Sequence, residues 1–275
     1  MFERLAAGIT EFIVLSIVFG SAAFLLHGWK SLVPDERQKR NWRVNGSYFA
    51  FDLMVTAPLL LIVSVEIRTA IEEGGRSTGA SLFDSMPSWA VAIAAVMVSD
   101  FIGYWRHRLM HLAPLWPVHA AHHSDEDLTW FTLVRFHPIN RLISVCLDAV
   151  ILSALGMPVW AVIFSNRVRH YYGYMIHSDL NWRFGPLKYL FVSPFLHRWH
   201  HATDEAARDT NFATVFSIYD VMFGTFYCPK HRAKDLGVNG PDYPTSFIGQ
   251  LWYPFDHWGR LVFAPLIRGR RREHL

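Results

Sequence analysis

The sequence predicts an all-α polytopic membrane protein. It should have about three spanning helices, a bent or re-entrant helical hairpin, and a cytoplasmic, helical, histidine-rich metal domain. Three observations carry this expectation. Apolar runs of spanning length recur at residues 9–29, 47–65 and 88–105, and about 20 apolar residues suffice to cross a bilayer. Charged residues make up 18% of the chain, against about 25% in a soluble domain, and mean hydropathy is positive at +0.16. Downstream of the third run, histidines cluster at helical spacing in three places.

The first run, 9–29, is read as a span rather than a signal peptide. Glu3 sits beside the one Arg of the leading segment, and no small-residue cleavage pattern precedes a polar start. His27, at the end of this run, is read as structural. Residues 30–46 are polar and carry Lys30, Arg37, Lys39, Arg40 and Arg43. The connection after the second span, 66–87, carries only Arg68 and Arg76 as basic residues. The excess of positive charge places the first connection in the cytoplasm, and the second connection and the N-terminus outside.

The third span returns inward and brings Asp100, His107 and His111 towards the cytoplasmic face. His107 and His111 are four apart; His119, His122 and His123 are offset by three and four. His197, His200 and His201 repeat the second pattern about 75 residues later. On a helix each spacing puts its rings on one face. Imidazole is the commonest metal ligand and suits zinc, copper and iron. A lone histidine is usually a surface or core residue, but three correlated sets are not accounted for that way. One tetrahedral zinc takes four protein ligands at most, so eight histidines argue for two metals. Asp100 lies two turns before His107 on nearly the same face. A carboxylate inside a span is costly and usually paired. Asp100 is therefore read as orienting a ligating histidine, with a polar helix-packing contact as the alternative.

Residues 112–141 read as amphipathic and polar, and Asp125-Glu126-Asp127 as a solvated cap or loop. His137 precedes Pro138, which holds it extended, and it is left out of the metal set. Residues 142–165 are apolar but interrupted by Gly156-Met157-Pro158. A single crossing here would put the last histidine cluster on the opposite side of the bilayer from the first two. The segment should therefore enter and leave on one side, turning at the Gly-Met-Pro break. The tail carries Trp252, Tyr253, Phe255, Trp258 and Phe263 and then Arg268 and Arg270 to Arg272. It reads as an interfacial segment on the cytoplasmic leaflet. The expected division is 1–90 for the N-terminal spans, 91–229 for the catalytic region and 230–275 for the tail. Two cysteines, Cys146 and Cys228, exclude a disulfide framework, a Cys-rich zinc site and a built-in Cys-ligated iron–sulfur carrier. A net charge of +3 with no groove-binding motif argues against nucleic acid.

HxxxH, HxxHH and HxxHH, in that order and beside hydrophobic spans, resemble the fatty acid hydroxylase/sterol desaturase superfamily. The lead-in Asp100-x-x-x-Tyr104-Trp105-x-His107-Arg108 is similar too, as are Asp209-Thr-Asn211-Phe212 and Tyr219-Asp220-Val-Met222-Phe223-Gly224-Thr225. Tyr219 stands where Trp is usual, Met222 where Arg is, and Phe212-Ala213 where Tyr-Gly is. The resemblance covers roughly residues 95–227. It implies a membrane-bound oxygenase with two iron ions, zinc being the substitute, that hydroxylates or desaturates a lipid with O2. The lipid would be fatty acyl, sterol or related, and electrons would come from a separate reductase, cytochrome or ferredoxin. It also implies a ninth ligand, His177. Gly173 stands where some relatives carry a further histidine, and His170 is a weaker substitute. Asn211 and Asp220 would support the site. The spacing of soluble Glu-x-x-His di-iron bundles is absent. Two other readings stay open: a zinc-dependent membrane hydrolase and a non-catalytic lipid-binding relative.

Overall fold

The computed structural model describes residues 2–29, 33–75, 83–238, 240 and 242–272. The His27 side chain and the side chains of the Arg268 to Arg272 cluster lie outside the described residues. Among the described residues the architecture is helical with no strand, apart from one isolated bridge between Ala202 and Leu236.

Helix α1 spans Phe2–His27. Helix α2, Glu36–Phe51, runs through a π turn, Asp52–Thr56, into α3, Ala57–Glu73. Helix α4 spans Ser88–Met110. Leu5–Leu26, the continuous rod Glu36–Glu73 and Ser88–Met110 are long and apolar enough to cross a membrane. The polar stretch expected as a connection is thus helical from Glu36 onward. A capping box starts it: Asp35 Oδ1 accepts from Gln38 N at 2.8 Å, and Gln38 Oε1 accepts from Asp35 N at 3.0 Å. Its polar residues are compatible with a helix because one face buries Asn41, Val44, Asn45 and Tyr48.

The hairpin is present. Helix α6, Pro138–Ala154, and α7, Val159–His177, are joined by a four-residue turn. Gly156 is left-handed (φ 68°). Its N–H donates to Ser153 O at 2.9 Å, and Met157 N–H donates to Leu152 O at 3.0 Å. This double bond is the Schellman way of closing a helix, and it requires a residue free to take positive φ. Pro158 then caps α7. Buried Met157 packs with Leu152 and Ala161 against Val91, Ala95 and Ile102 of α4. The hairpin therefore stays attached to the third span, with α3 along its other flank.

The short helix α5, Trp116–His123, is buried from Pro117 to His123. Helix α8, Pro194–His200, is equally buried apart from Arg198, and starts where Ser193 Oγ accepts from Leu196 N at 3.1 Å, with Pro194 in the first helical position. A core of Tyr104, Ile176, Leu196, Phe212 and Tyr219 locks α4, α7 and α8 to the following loop and α9, Ile218–Met222. Helix α10, Phe247–Arg272, closes the described chain and exposes Ile248, Trp252 and Phe255. Helix α1 and the first half of α3 expose large apolar side chains, among them Ile17, Val18, Leu61 and Ile62, as expected of surfaces that face lipid.

Candidate metal centre

Nine histidines converge from four helices. His107, His111, His119, His123 and His200 form one group and His122, His177, His197 and His201 another; within each group the ligand atoms lie within 4.8 Å of one another. His107 comes from α4 and His111 caps its end; His119, His122 and His123 come from α5, His177 from the end of α7, and the rest from α8 and its cap. The i, i+4 pair of α5 faces one group while His122, one residue away from His123, faces the other. On α8 His200 joins the first group, and His197 and His201 the second.

Oxygen acceptors set the tautomers. Nδ1 of His107 lies 2.8 Å from Phe212 O, that of His200 2.7 Å from Thr210 O and that of His177 2.7 Å from Gly173 O. His119 Nδ1 meets Asn140 Oδ1 at 2.9 Å, and His111 Nδ1 meets Asp209 Oδ1 at 3.1 Å. A carbonyl or carboxylate oxygen only accepts, so Nδ1 carries the proton at these rings and Nε2 carries the lone pair. Gly173 contributes its carbonyl to His177. A Cβ there would come within 3.1 Å of the Leu133 side chain.

Within each group Nε2 atoms point at each other. His177 Nε2 lies 3.1 Å from His122 Nε2 and 3.0 Å from His197 Nε2; His201 lies 3.2 Å from His197, and His123 3.2 Å from His119, again through Nε2. Nε2 of His107, His111 and His200 is buried without a hydrogen-bond partner. Two imidazoles on one ion, each bonded at ~2.0–2.1 Å, stand ~2.9–3.4 Å apart. Lone pairs at that separation repel unless a cation lies among them. Burial also pushes His119, His122, His123, His197, His200 and His201 well below the ordinary imidazole range. The rings are therefore neutral and available as ligands. The donor set fits two metal ions.

Neither Asp100 nor Asp220 bonds a ring directly. Asp100 Oδ2 accepts from Val215 N and Phe216 N at 3.1 and 2.8 Å, and Oδ1 faces Arg169 at 3.4 Å. It pins the loop that covers the site rather than a ring, because its helix face turns to that loop. Asp220 accepts from Phe212 N at 2.7 Å, Ala213 N at 3.1 Å and Thr225 Oγ1 at 2.8 Å. It thereby holds the carbonyl of Phe212 under His107. Asn211, left-handed at φ 56°, clamps α8 to the loop: its amide donates to Leu196 O and Tyr227 O, and its oxygen accepts from Tyr227 N. Asp125, expected in solvent, is 1% exposed. It accepts from Asn45 and Thr132 and faces buried Arg135. His137 caps α6 through Ile139 N and meets Leu251 O at 3.1 Å; His170 pairs with Glu11. Both lie outside the two groups. Two side chains that accept from ring N–H groups, Asn140 and Asp209, were missed. Asp209 stood in a quoted motif, and its backbone (φ 58°) needs one of the few residues that tolerate the left-handed region.

A cavity of about 1080 Å³ reaches both groups, touching His107, His119, His122, His177 and His197. Phe136, also in its wall, stacks on His122 with ring centres 4.2 Å apart.

Comparison with known proteins agrees with this centre. The family model "Fatty acid hydroxylase" matches residues 92–225. Ornithine lipid hydroxylase OlsE of Rhizobium tropici is 34% identical over 179 residues, which is 64% of this chain and 54% of that protein. Human alkylglycerol monooxygenase is 28% identical over 178 residues, 64% of this chain and 38% of that protein. Very-long-chain aldehyde decarbonylase GL1-6 of Oryza sativa subsp. indica is 28% identical over 144 residues, 46% and 21%. The chain thus spans about half or less of the curated relatives it matches. No solved structure matches. Residues 92–225, which carry all nine histidines, are thus the part of the chain that resembles the fatty acid hydroxylase family.

Proposed function

We propose that the chain is a membrane-bound oxygenase that hydroxylates or desaturates a lipid, with two iron ions on its two histidine groups. The observation that carries this is the inward convergence of nine ring histidines in two groups, with Nε2 of His107, His111 and His200 buried and without hydrogen-bond partners. Relatives named as a lipid hydroxylase and a monooxygenase support iron over zinc. His107, His111, His119, His123 and His200 would hold one ion, and His122, His177, His197 and His201 the other. When bound, the ions supply O2 activation and attack on an unactivated C–H bond.

The chain's own residues do the rest. The Nδ1 acceptors lock the tautomer and direction of His107, His111, His119, His177 and His200. Met110, Leu133, Phe136 and Ile176 line the cavity next to the rings and keep water from the reacting carbon. The positive first connection supports a site on the cytoplasmic side. There a separate reductase, cytochrome or ferredoxin delivers the two electrons each turnover needs.

The test is lipid analysis of a deletion strain, against strains complemented with the wild-type chain or with His107→Ala or His200→Ala, all grown under ¹⁸O2. The expected result is two irons per purified chain and a lipid that carries the label, or a new double bond, only with the wild type. Zinc without iron in anaerobically prepared protein would favour the hydrolase. Unchanged lipid turnover in both variants would end the oxygenase reading.

A further inference from the structure

The cavity that meets both histidine groups is not lined as a slot for hydrocarbon alone. Its wall carries four arginines, Arg106, Arg141, Arg167 and Arg169, against two acids, Glu11 and Asp148. Two of the arginines are neutralised within the fold. Arg106 pairs with Asp148, and Arg169 lies 3.9 Å from Asp148 and 3.4 Å from Asp100. Glu11 is taken by His170 at 3.0 Å. Arg141 reaches Asp52 at 3.4 Å with both side chains still partly open, and Arg167 is exposed. Glu11 and Asp52 lie within helices long and apolar enough to span. Charge at that depth is costly and is kept where it lines a substrate path. A pocket for a sterol or a bare chain needs apolar walls and a few polar groups, not this density of guanidinium.

The placement also limits reach. Arg141 directly follows Asn140, the residue that meets His119. Arg167 stands ten residues before His177 on α7, ~15 Å along the helix axis. Beside these charges the wall turns apolar and open: Val14 and Ile163 line the cavity and are 51% and 50% exposed.

We propose that this cavity takes a lipid by an oxyanion headgroup, phosphate or carboxylate, received by Arg141 and Arg167, with its chains leaving past Val14 and Ile163. The planar guanidinium matches both oxyanions in a two-pronged contact. The oxidised carbon then lies within about 15 Å of the headgroup. That last statement rests on the oxygenase reading; the binding itself does not.

The test is equilibrium binding to the purified full-length chain in uncharged detergent, with two matched pairs. One pair is dioleoylphosphatidate and dioleoylglycerol; the other is oleate and oleyl alcohol. At least one anionic member should bind about tenfold or more tightly than its uncharged partner. Arg141→Gln and Arg167→Gln should each remove most of that difference. Preference for phosphatidate alone assigns a phosphate headgroup, and for oleate alone a carboxylate. No preference in either pair, or a preference that survives both substitutions, overturns the proposal. Arg141→Gln breaks the contact with Asp52, so its fold is checked by thermal unfolding; if it fails, exposed Arg167 decides alone. The assay needs neither iron nor turnover. Flat selectivity therefore leaves the oxygenase standing, and selective binding without iron does the reverse.

Discussion

His111 Nδ1 and Asp209 Oδ1, 98 residues apart in sequence, meet at 3.1 Å. This is the only carboxylate contact given to any of the nine rings among the described residues. His111 holds Asp209 below the usual carboxylate range. Acceptors of this kind fix a ligating ring, and their loss typically costs about 10–100-fold in metal affinity. Asp209→Ala should weaken iron binding by that order, while Asp209→Asn, which keeps an acceptor oxygen, should retain most of it. Metal titration of stripped protein reads the difference. Equal affinity in the Ala variant and the wild type would show the contact to be idle.

Asp220 gives a pH dependence. Burial pushes its carboxyl up to about 7, against the donors Thr225, Ala213 and Phe212. Its folded pKa is thus above the unfolded value of about 4. The stability it contributes is complete below pH about 4 and is lost as pH rises through about 7. The depressed histidines act in the opposite sense, so the readout is a difference: the stability margin of the metal-free wild type over Asp220→Asn should shrink from pH 5 to pH 8. The Asn variant also leaves a buried N–H unpaired, at about 1–3 kcal/mol. Parallel pH curves for the two proteins would exclude this account.

The histidines were legible because ligand spacing is a local property of a helix: one face, read at three and four. The hairpin was legible because three clusters that must share one side of a bilayer forbid a full crossing at 142–165. The partners of the rings were not. Asp100 and Asp220 lay near ligands in sequence or motif, yet both bind backbone N–H groups of the loop after α8. The groups that hold the rings are mostly backbone carbonyls, such as those of Phe212, Thr210 and Gly173, and a carbonyl leaves no trace in residue type. Asp125 misled for a related reason: three adjacent acids look solvated until Asn45 and Arg135 arrive from about 80 residues before and ten after.

Arg135 joins the rod to the site. It is 1% exposed. It donates through Nε to Asn45 Oδ1 at 2.6 Å, through Nη1 to Ser124 Oγ at 3.1 Å and through Nη2 to Asn41 O at 3.1 Å. Removing one partner of a buried pair leaves the other charge uncompensated, here Asp125, at about 3–5 kcal/mol. Arg135→Met should lower the unfolding temperature sharply and loosen the chain segment that follows His123. An unfolding temperature equal to that of the wild type would count against the network.

Helices α5 and α8 each lend rings to both groups: His119 and His123 one way and His122 the other, His200 one way and His197 and His201 the other. Neither helix can be ordered for one ion without being ordered for its neighbour. The first ion to arrive therefore bears the entropy of freezing both helices, and the second finds its cage already built. Filling should be cooperative, with half-filled protein scarce at every iron concentration. Stripping should likewise pass from two ions to none without a resting stage between.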